Sequence, residues 1–137
     1  MMIKKTHLVT GGCGFVGRNM VKRLLSHADT QVIFIDNLSV GTHPDTWMSL
    51  PKSHSGDDFA IYDNRALFIH QDALKVMRKL MENDQYFSET YPWEMDRIAD
   101  VFHFAAIVGG RAKIDGDPMV VALDLAIDAE MFYWAVN

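Results

Sequence analysis

Nine residues near the amino terminus, Val9-Thr10-Gly11-Gly12-Cys13-Gly14-Phe15-Val16-Gly17, restrict the fold more than any other part of the chain. They form a glycine-rich turn preceded by the short apolar run His7-Leu8-Val9. After the turn Val16, Met20, Val21, Leu24 and Leu25 recur at helical spacing, with Arg18, Lys22 and Arg23 on the other face. Gly12, Gly14 and Gly17 satisfy G-x-G-x-x-G, and Gly11, Gly14 and Gly17 satisfy the looser G-x-x-G-x-x-G. Such a pattern is weak in isolation, because glycine clusters also mark ordinary loops. Between a strand and a helix it acquires a physical meaning. The early glycines permit a tight turn and let main-chain N–H groups approach a diphosphate, and the last lets helix and strand pack closely. The phosphates then rest at a helix N-terminus, where unpaired N–H groups and the positive dipole end favour negative charge.

The next run, Gln31-Val32-Ile33-Phe34-Ile35, is uncharged and rich in β-branched and aromatic residues, which suits a parallel strand buried on both faces. It ends at Asp36, 19 residues after Gly17. A carboxylate there can accept hydrogen bonds from both ribose hydroxyls of an adenosine. It would also repel a 2′-phosphate, and no Arg or Lys occurs from Asp36 to Pro51 to neutralise one, so NAD is favoured over NADP.

Residues 37–65 contain Gly41, Pro44, Pro51, Ser53, Ser55 and Gly56, and read as mostly loop with a helical turn around Thr46 to Leu50, an insertion over one sheet edge. Ala66-Leu67-Phe68-Ile69 reads as a third strand and Ala73 to Met81 as a helix with Leu74, Met77, Leu80 and Met81 on one face. Asp72 stands between them, placed either to reach an adenine amino group or to cap the helix, and the two roles are compatible. Residues 82–98 read as loop plus a short helix, and Val101-Phe102-His103-Phe104-Ala105-Ala106 as the fourth strand and its exit. The small residues Ala105, Ala106, Gly109 and Gly110 leave room for a cofactor to lie against main chain. His103 reads as a hydrogen-bonded strand histidine rather than an acid or base. Arg111 and Lys113 stand near the expected mouth, either to meet a substrate diphosphate or as solvated surface charge. Asp117-Pro118 is a helix start, and the run that follows to Val136 is apolar nearly all round. Val120, Leu123, Ile127 and Met131 can cover the sheet, whereas Val121, Leu125, Phe132 and Trp134 need another cover. A homodimer through helix 118–136 follows as an expectation.

The chain has 137 residues, 49% of them hydrophobic, enough for one core, so one domain over 1–137 is expected. A formal net charge of −5 disfavours nucleic-acid binding, which runs on a basic surface. The longest apolar runs fall far short of the ~20 residues that span a bilayer. No membrane partner and a cytoplasmic location are therefore expected. A single cysteine excludes an internal disulfide, and Cys13, inside the glycine turn, is expected to pack small and inert. The histidines show no metal-ligand spacing and no G-K-[ST] phosphate loop occurs, so no metal is assigned.

Five ordered motifs resemble the extended short-chain dehydrogenase/reductase family, in particular its NAD-dependent nucleotide-sugar epimerases and dehydratases. They are Thr10-Gly11-Gly12-Cys13-Gly14-Phe15-Val16-Gly17, Asp36-Asn37-Leu38-Ser39, Gln71-Asp72, Val101-Phe102-His103-Phe104-Ala105-Ala106, and Asp117-Pro118. The resemblance implies an α/β doubly wound parallel sheet of the Rossmann kind, truncated before its fifth strand. It implies that Gly11, Gly14, Phe15, Val16 and Gly17 hold the NAD pyrophosphate, Asp36 and Asn37 the adenine ribose, Asp72 and Ala73 the adenine, and Phe104, Ala105 and Ala106 the nicotinamide side. The substrate would be a nucleotide sugar. Ala106-Ile107-Val108-Gly109-Gly110 looks like GDP-fucose synthases and Asp36-Asn37-Leu38-Ser39 like UDP- and dTDP-sugar enzymes, so the sugar stays open.

In that family a Tyr-x-x-x-Lys pair moves the sugar hydroxyl's proton, the lysine cation stabilising the phenolate. Here Tyr62, Tyr86, Tyr91 and Tyr133 are followed four positions on by Ala66, Thr90, Met95 and Asn137. The expectation is therefore the NAD-binding portion of a longer enzyme, which alone binds better than it catalyses. Two rivals remain open: a free-standing nucleotide-binding module without catalysis, and a non-binding structural fragment.

Overall fold

In the computed structural model, which describes residues 4–105, 128–129 and 133–135, Thr30–Asp36 forms the central strand β2. To number in chain order, β1 is Lys5–Thr10, α1 Phe15–Leu25, β3 Lys52–Ser55 and β4 Phe59–Tyr62. Then come β5 Ala66–His70, α2 Ala73–Glu82, α3 Tyr86–Thr90 and β6 Ile98–His103. The sheet has six strands in the order β3-β4-β5-β2-β1-β6. β1, β2, β5 and β6 are mutually parallel, while β4 runs antiparallel to β5 and β3 antiparallel to β4.

Alternation along β2 and β5 decides which face each side chain serves. Ile33, Ile35, Leu67 and Ile69 join Leu8 and the α2 residues Leu74, Val76, Met77 and Leu80 in one core. Val32, Phe34, Ala66 and Phe68 join Val9 and Val21 of α1 in the other. Each large apolar side chain so buried contributes about 1.5–3 kcal/mol. Helices therefore cover both faces of the sheet, the doubly wound arrangement anticipated from the sequence.

Two segments are more ordered than the sequence alone predicts. The segment 37–65 is mostly loop, as expected, with a 3₁₀ turn at Pro44–Thr46, but it also carries the β3–β4 hairpin, which extends the sheet beyond β5. The fourth parallel strand begins three residues earlier than expected, spanning Ile98–His103, and Phe104 and Ala105 form its exit as anticipated. The helix expected at 118–136 lies outside the described residues save 128–129 and 133–135. Among the described residues no helix is long and apolar enough to cross a membrane.

The chain moves outward from β1 to β2 to β5, then returns to place β6 on the other side of β1. The strand order reverses between β1 and β6. In open parallel sheets ligands bind beyond the carboxyl ends of the strands at such a reversal.

Candidate functional site

The carboxyl ends of the parallel strands carry the site residues expected from the sequence. Gly11 leaves β1, Asp36 ends β2, Asp72 follows β5, and Phe104 and Ala105 follow β6. The glycines of the turn do different things. Gly11 has φ +67°, and a β-carbon there would stand 2.7 Å from the Phe104 carbonyl carbon, so the exit of β6 sits directly on it. A β-carbon on Gly17 would meet the Gly11 oxygen at 2.0 Å, which is how α1 comes so close to the turn. Gly14 is unlike both. Among the described residues its nearest neighbour would be the Gly11 oxygen at 3.6 Å, so none of them closes its other side.

That open side lies at the start of α1. Gly14 is the N-cap residue, no side chain among the described residues caps the helix, and its first turn holds no acidic residue. By contrast α2 is closed by Asp72, whose Oδ1 accepts from Leu74 N–H at 3.1 Å. Phe15 and Val16, in the first turn of α1, are 73% and 58% exposed, large apolar surfaces beside uncapped N–H groups. An anion with apolar flanks fits such a place.

Asp36 borders the same turn. Its Oδ2 accepts from Cys13 N–H at 2.9 Å and its Oδ1 from Leu38 N–H at 2.7 Å. Leu38 holds φ 62°, and Asn37 beside it is exposed. The Asn37 carbonyl stands 3.3 Å from His70 Nε2, joining the ends of β2 and β5. The Cys13 carbonyl accepts from Thr42 N–H at 3.0 Å, so the loop after β2 folds over the turn. Cys13 itself is fully buried, and burial pushes its thiol well above the ordinary range, with the Asp36 carboxylate adding to the effect. Its burial fits the small packing role expected of it.

Asp72 does serve as a helix cap, and Ala73 has its side chain in the core beneath α2, leaving main chain to present. Phe104 is 36% exposed and Ala105 partly buried. Ala106, Arg111 and Lys113 lie outside the described residues. No local motif pointed to what ties the rim together: Thr10, His103 and Asp128 form a hydrogen-bonded chain at Ala105. Their separations, 93 residues for Thr10 and His103 and 25 for His103 and Asp128, hide the contact from any local pattern.

A mostly parallel sheet wound on both faces, with a glycine turn after β1 and an acid ending β2, is the pattern of a dinucleotide-binding α/β domain. The profile of the NAD dependent epimerase/dehydratase family matches residues 7–118, and the chain belongs to that family. Solved structures agree on the fold. An epimerase from Methanothermobacter thermautotrophicus is 22% identical with a TM-score of 0.63, the match covering 98% of this chain and 32% of that one. The UDP-N-acetylglucosamine 4-epimerase of Methanobrevibacter ruminantium, solved with UDP-N-acetylmuramic acid, is 21% identical with a TM-score of 0.64, over 97% of this chain and 34% of that one. The UDP-glucose 4-epimerase of Brucella ovis, solved with NAD, is 21% identical with a TM-score of 0.59, over 95% and 31%. This chain thus spans about a third of the length of the structures it matches.

Proposed function

We propose that residues 1–137 form the NAD-binding part of a nucleotide-sugar epimerase or dehydratase. The observation that carries this reading is the open side of Gly14 at the uncapped start of α1, with the Asp36 carboxylate on its rim. The pyrophosphate lies on the main chain from Gly11 to Gly17, against the free N–H groups of Phe15 and Val16. Asp36 and Asn37 hold the adenine ribose. Each Asp36 oxygen accepts one main-chain N–H and keeps a further lone-pair direction for a hydroxyl. Asp72 and the Ala73 main chain border the adenine, and Phe104, Ala105 and Ala106 the nicotinamide side. Exposed Phe15 and Val16 exclude water from the diphosphate once it is in place.

Bound there, NAD supplies a hydride acceptor for a sugar carbon. The residues of this chain bind and orient it. The Tyr-x-x-x-Lys pair that would move the sugar's proton does not occur in these 137 residues, so the chain alone binds NAD without turning over a sugar. The intact enzyme is a homodimer through the apolar run 118–136, which sedimentation of that protein at micromolar concentration checks: a monomer rules it out.

Titration calorimetry tests the central reading. NAD and ADP-ribose are expected to bind the protein at a single site, and absence of binding by both removes the proposal. Turnover of UDP-glucose by the 137-residue chain alone would overturn its assignment as a binding part only.

A further inference from the structure

Thr10, the last residue of β1, grips the exit of β6 twice. Its carbonyl accepts from Phe104 N–H at 3.0 Å, and its Oγ1 accepts from Ala105 N–H at 3.1 Å. The same Oγ1 stands 2.6 Å from Nδ1 of His103, and His103 Nε2 stands 2.8 Å from Oδ1 of Asp128. The two ends of this chain fix its direction. An amide N–H only donates and an ionised carboxylate only accepts. Thr10 therefore receives a hydrogen bond from Ala105 and gives its own proton to Nδ1, while Nε2 carries the ring proton toward Asp128. This is the neutral Nε2–H tautomer of His103. A doubly protonated ring would make Nδ1 a donor and leave the hydroxyl proton of Thr10, a fully buried residue, without its acceptor.

The place held by this relay matters for the site. Asp36 lies on the β2 side of β1, and the Phe104–Ala105 main chain lies on the β6 side, seated on Gly11. A dinucleotide with its diphosphate on the turn and one ribose at Asp36 extends its other half toward Phe104 and Ala105. We infer that Thr10, His103 and Asp128 act as positioning residues which set the Phe104–Ala105 main chain where the nicotinamide ring lies. None of the three is a catalytic residue. The inference rests on the NAD reading above.

ADP-ribose, which lacks the nicotinamide ring, separates the two ideas. Wild-type intact protein is first titrated with NAD and with ADP-ribose, and failure of both ligands there sinks the NAD reading itself. With binding in hand, the test variants are Asp128→Ala and Thr10→Val, with Thr10→Ser as the conservative partner. Asp128 is half exposed, so its replacement leaves the fold intact. NAD affinity is expected to fall about fivefold to tenfold in Asp128→Ala and Thr10→Val, the scale of one hydrogen bond. ADP-ribose affinity stays within about twofold, and Thr10→Ser recovers NAD binding. Equal losses for both ligands, or unchanged NAD binding, would overturn the inference. Nitrogen-15 shifts of the His103 ring give a second readout, expected to report Nε2–H only, and a ring protonated on Nδ1, alone or together with Nε2, contradicts the relay.

Discussion

Asp36 Oδ2 holds the main-chain N–H of Cys13 at 2.9 Å, so the acid at the tip of β2 and the glycine turn after β1 form one unit. The other oxygen restrains Leu38 at 2.7 Å. A ligand that engages Asp36 therefore meets a carboxylate already oriented on both sides, which lowers the entropy lost on binding. Asp36→Ala is expected to weaken NAD binding by about 1–3 kcal/mol, the scale for losing a charged acceptor. It should also lower the melting temperature, since Cys13 and Leu38 lose a partner. Calorimetry that finds NAD affinity unchanged removes Asp36 from the site, whatever the melt shows.

The same carboxylate sets cofactor choice. A 2′-phosphate brought to Asp36 places like charges together, with no Lys or Arg from residue 36 to residue 51 to offset them. NAD is expected to bind at least about tenfold more tightly than NADP, a difference of about 1.4 kcal/mol. Competitive titration of the two ligands decides it, and a preference for NADP contradicts the assignment of Asp36.

The core of this fold was readable because β2 and β5 are buried on both faces and so appear as unbroken apolar runs. The hairpin was not. Lys52-Ser53-His54-Ser55 is exposed along its whole length and shows no alternation, so β3 owes its conformation to pairing with β4 rather than to any hydrophobic face. Phe59-Ala60-Ile61-Tyr62 after Gly56 was the available signal. The hairpin is then held by Tyr62 Oη–H, which donates to Asp45 Oδ1 at 2.6 Å, while Lys52 Nζ donates to Oδ2 at 2.9 Å. At the site, the types and spacing of Gly14, Gly17 and Asp36 were legible. The ties of Cys13 to Asp36 and to Thr42, and the relay ending at Asp128, depend on how distant segments fold together.

Gly14 and Gly17 separate binding from stability. A methyl on Gly17 collides with the Gly11 oxygen at 2.0 Å, so Gly17→Ala is expected to cost about 1–3 kcal/mol of stability as the turn and α1 move apart. A methyl on Gly14 meets only ordinary contact at 3.6 Å, so Gly14→Ala should cost about 1 kcal/mol or less. It fills the open cradle, however, and NAD affinity should drop about tenfold. Urea titrations beside calorimetry check the pair. Undiminished NAD binding by a folded Gly14→Ala protein contradicts the placement of the diphosphate.

Acid sensitivity follows from His7, which is 5% exposed in β1. Its Nδ1 stands 3.1 Å from Asp100 Oδ2 without an aligned hydrogen bond, and Lys5 lies close by. Burial lowers its pKa below 6.5, outweighing the opposing pull of Asp100, and Lys5 lowers it further. The unfolded chain therefore takes up a proton at His7 more readily than the folded one. Above the ordinary histidine range both states are neutral and His7 adds no pH dependence. As pH falls through 6.5 the unfolded state gains protonation free energy first, and stability declines until the folded-state value is passed, by at most about 1.4 kcal/mol per pH unit for one group. Urea midpoints at pH 8 and at successive steps below 6.5 should show this slope in the wild type and a smaller one in His7→Gln. An identical slope in the two proteins would assign the acid sensitivity to other groups.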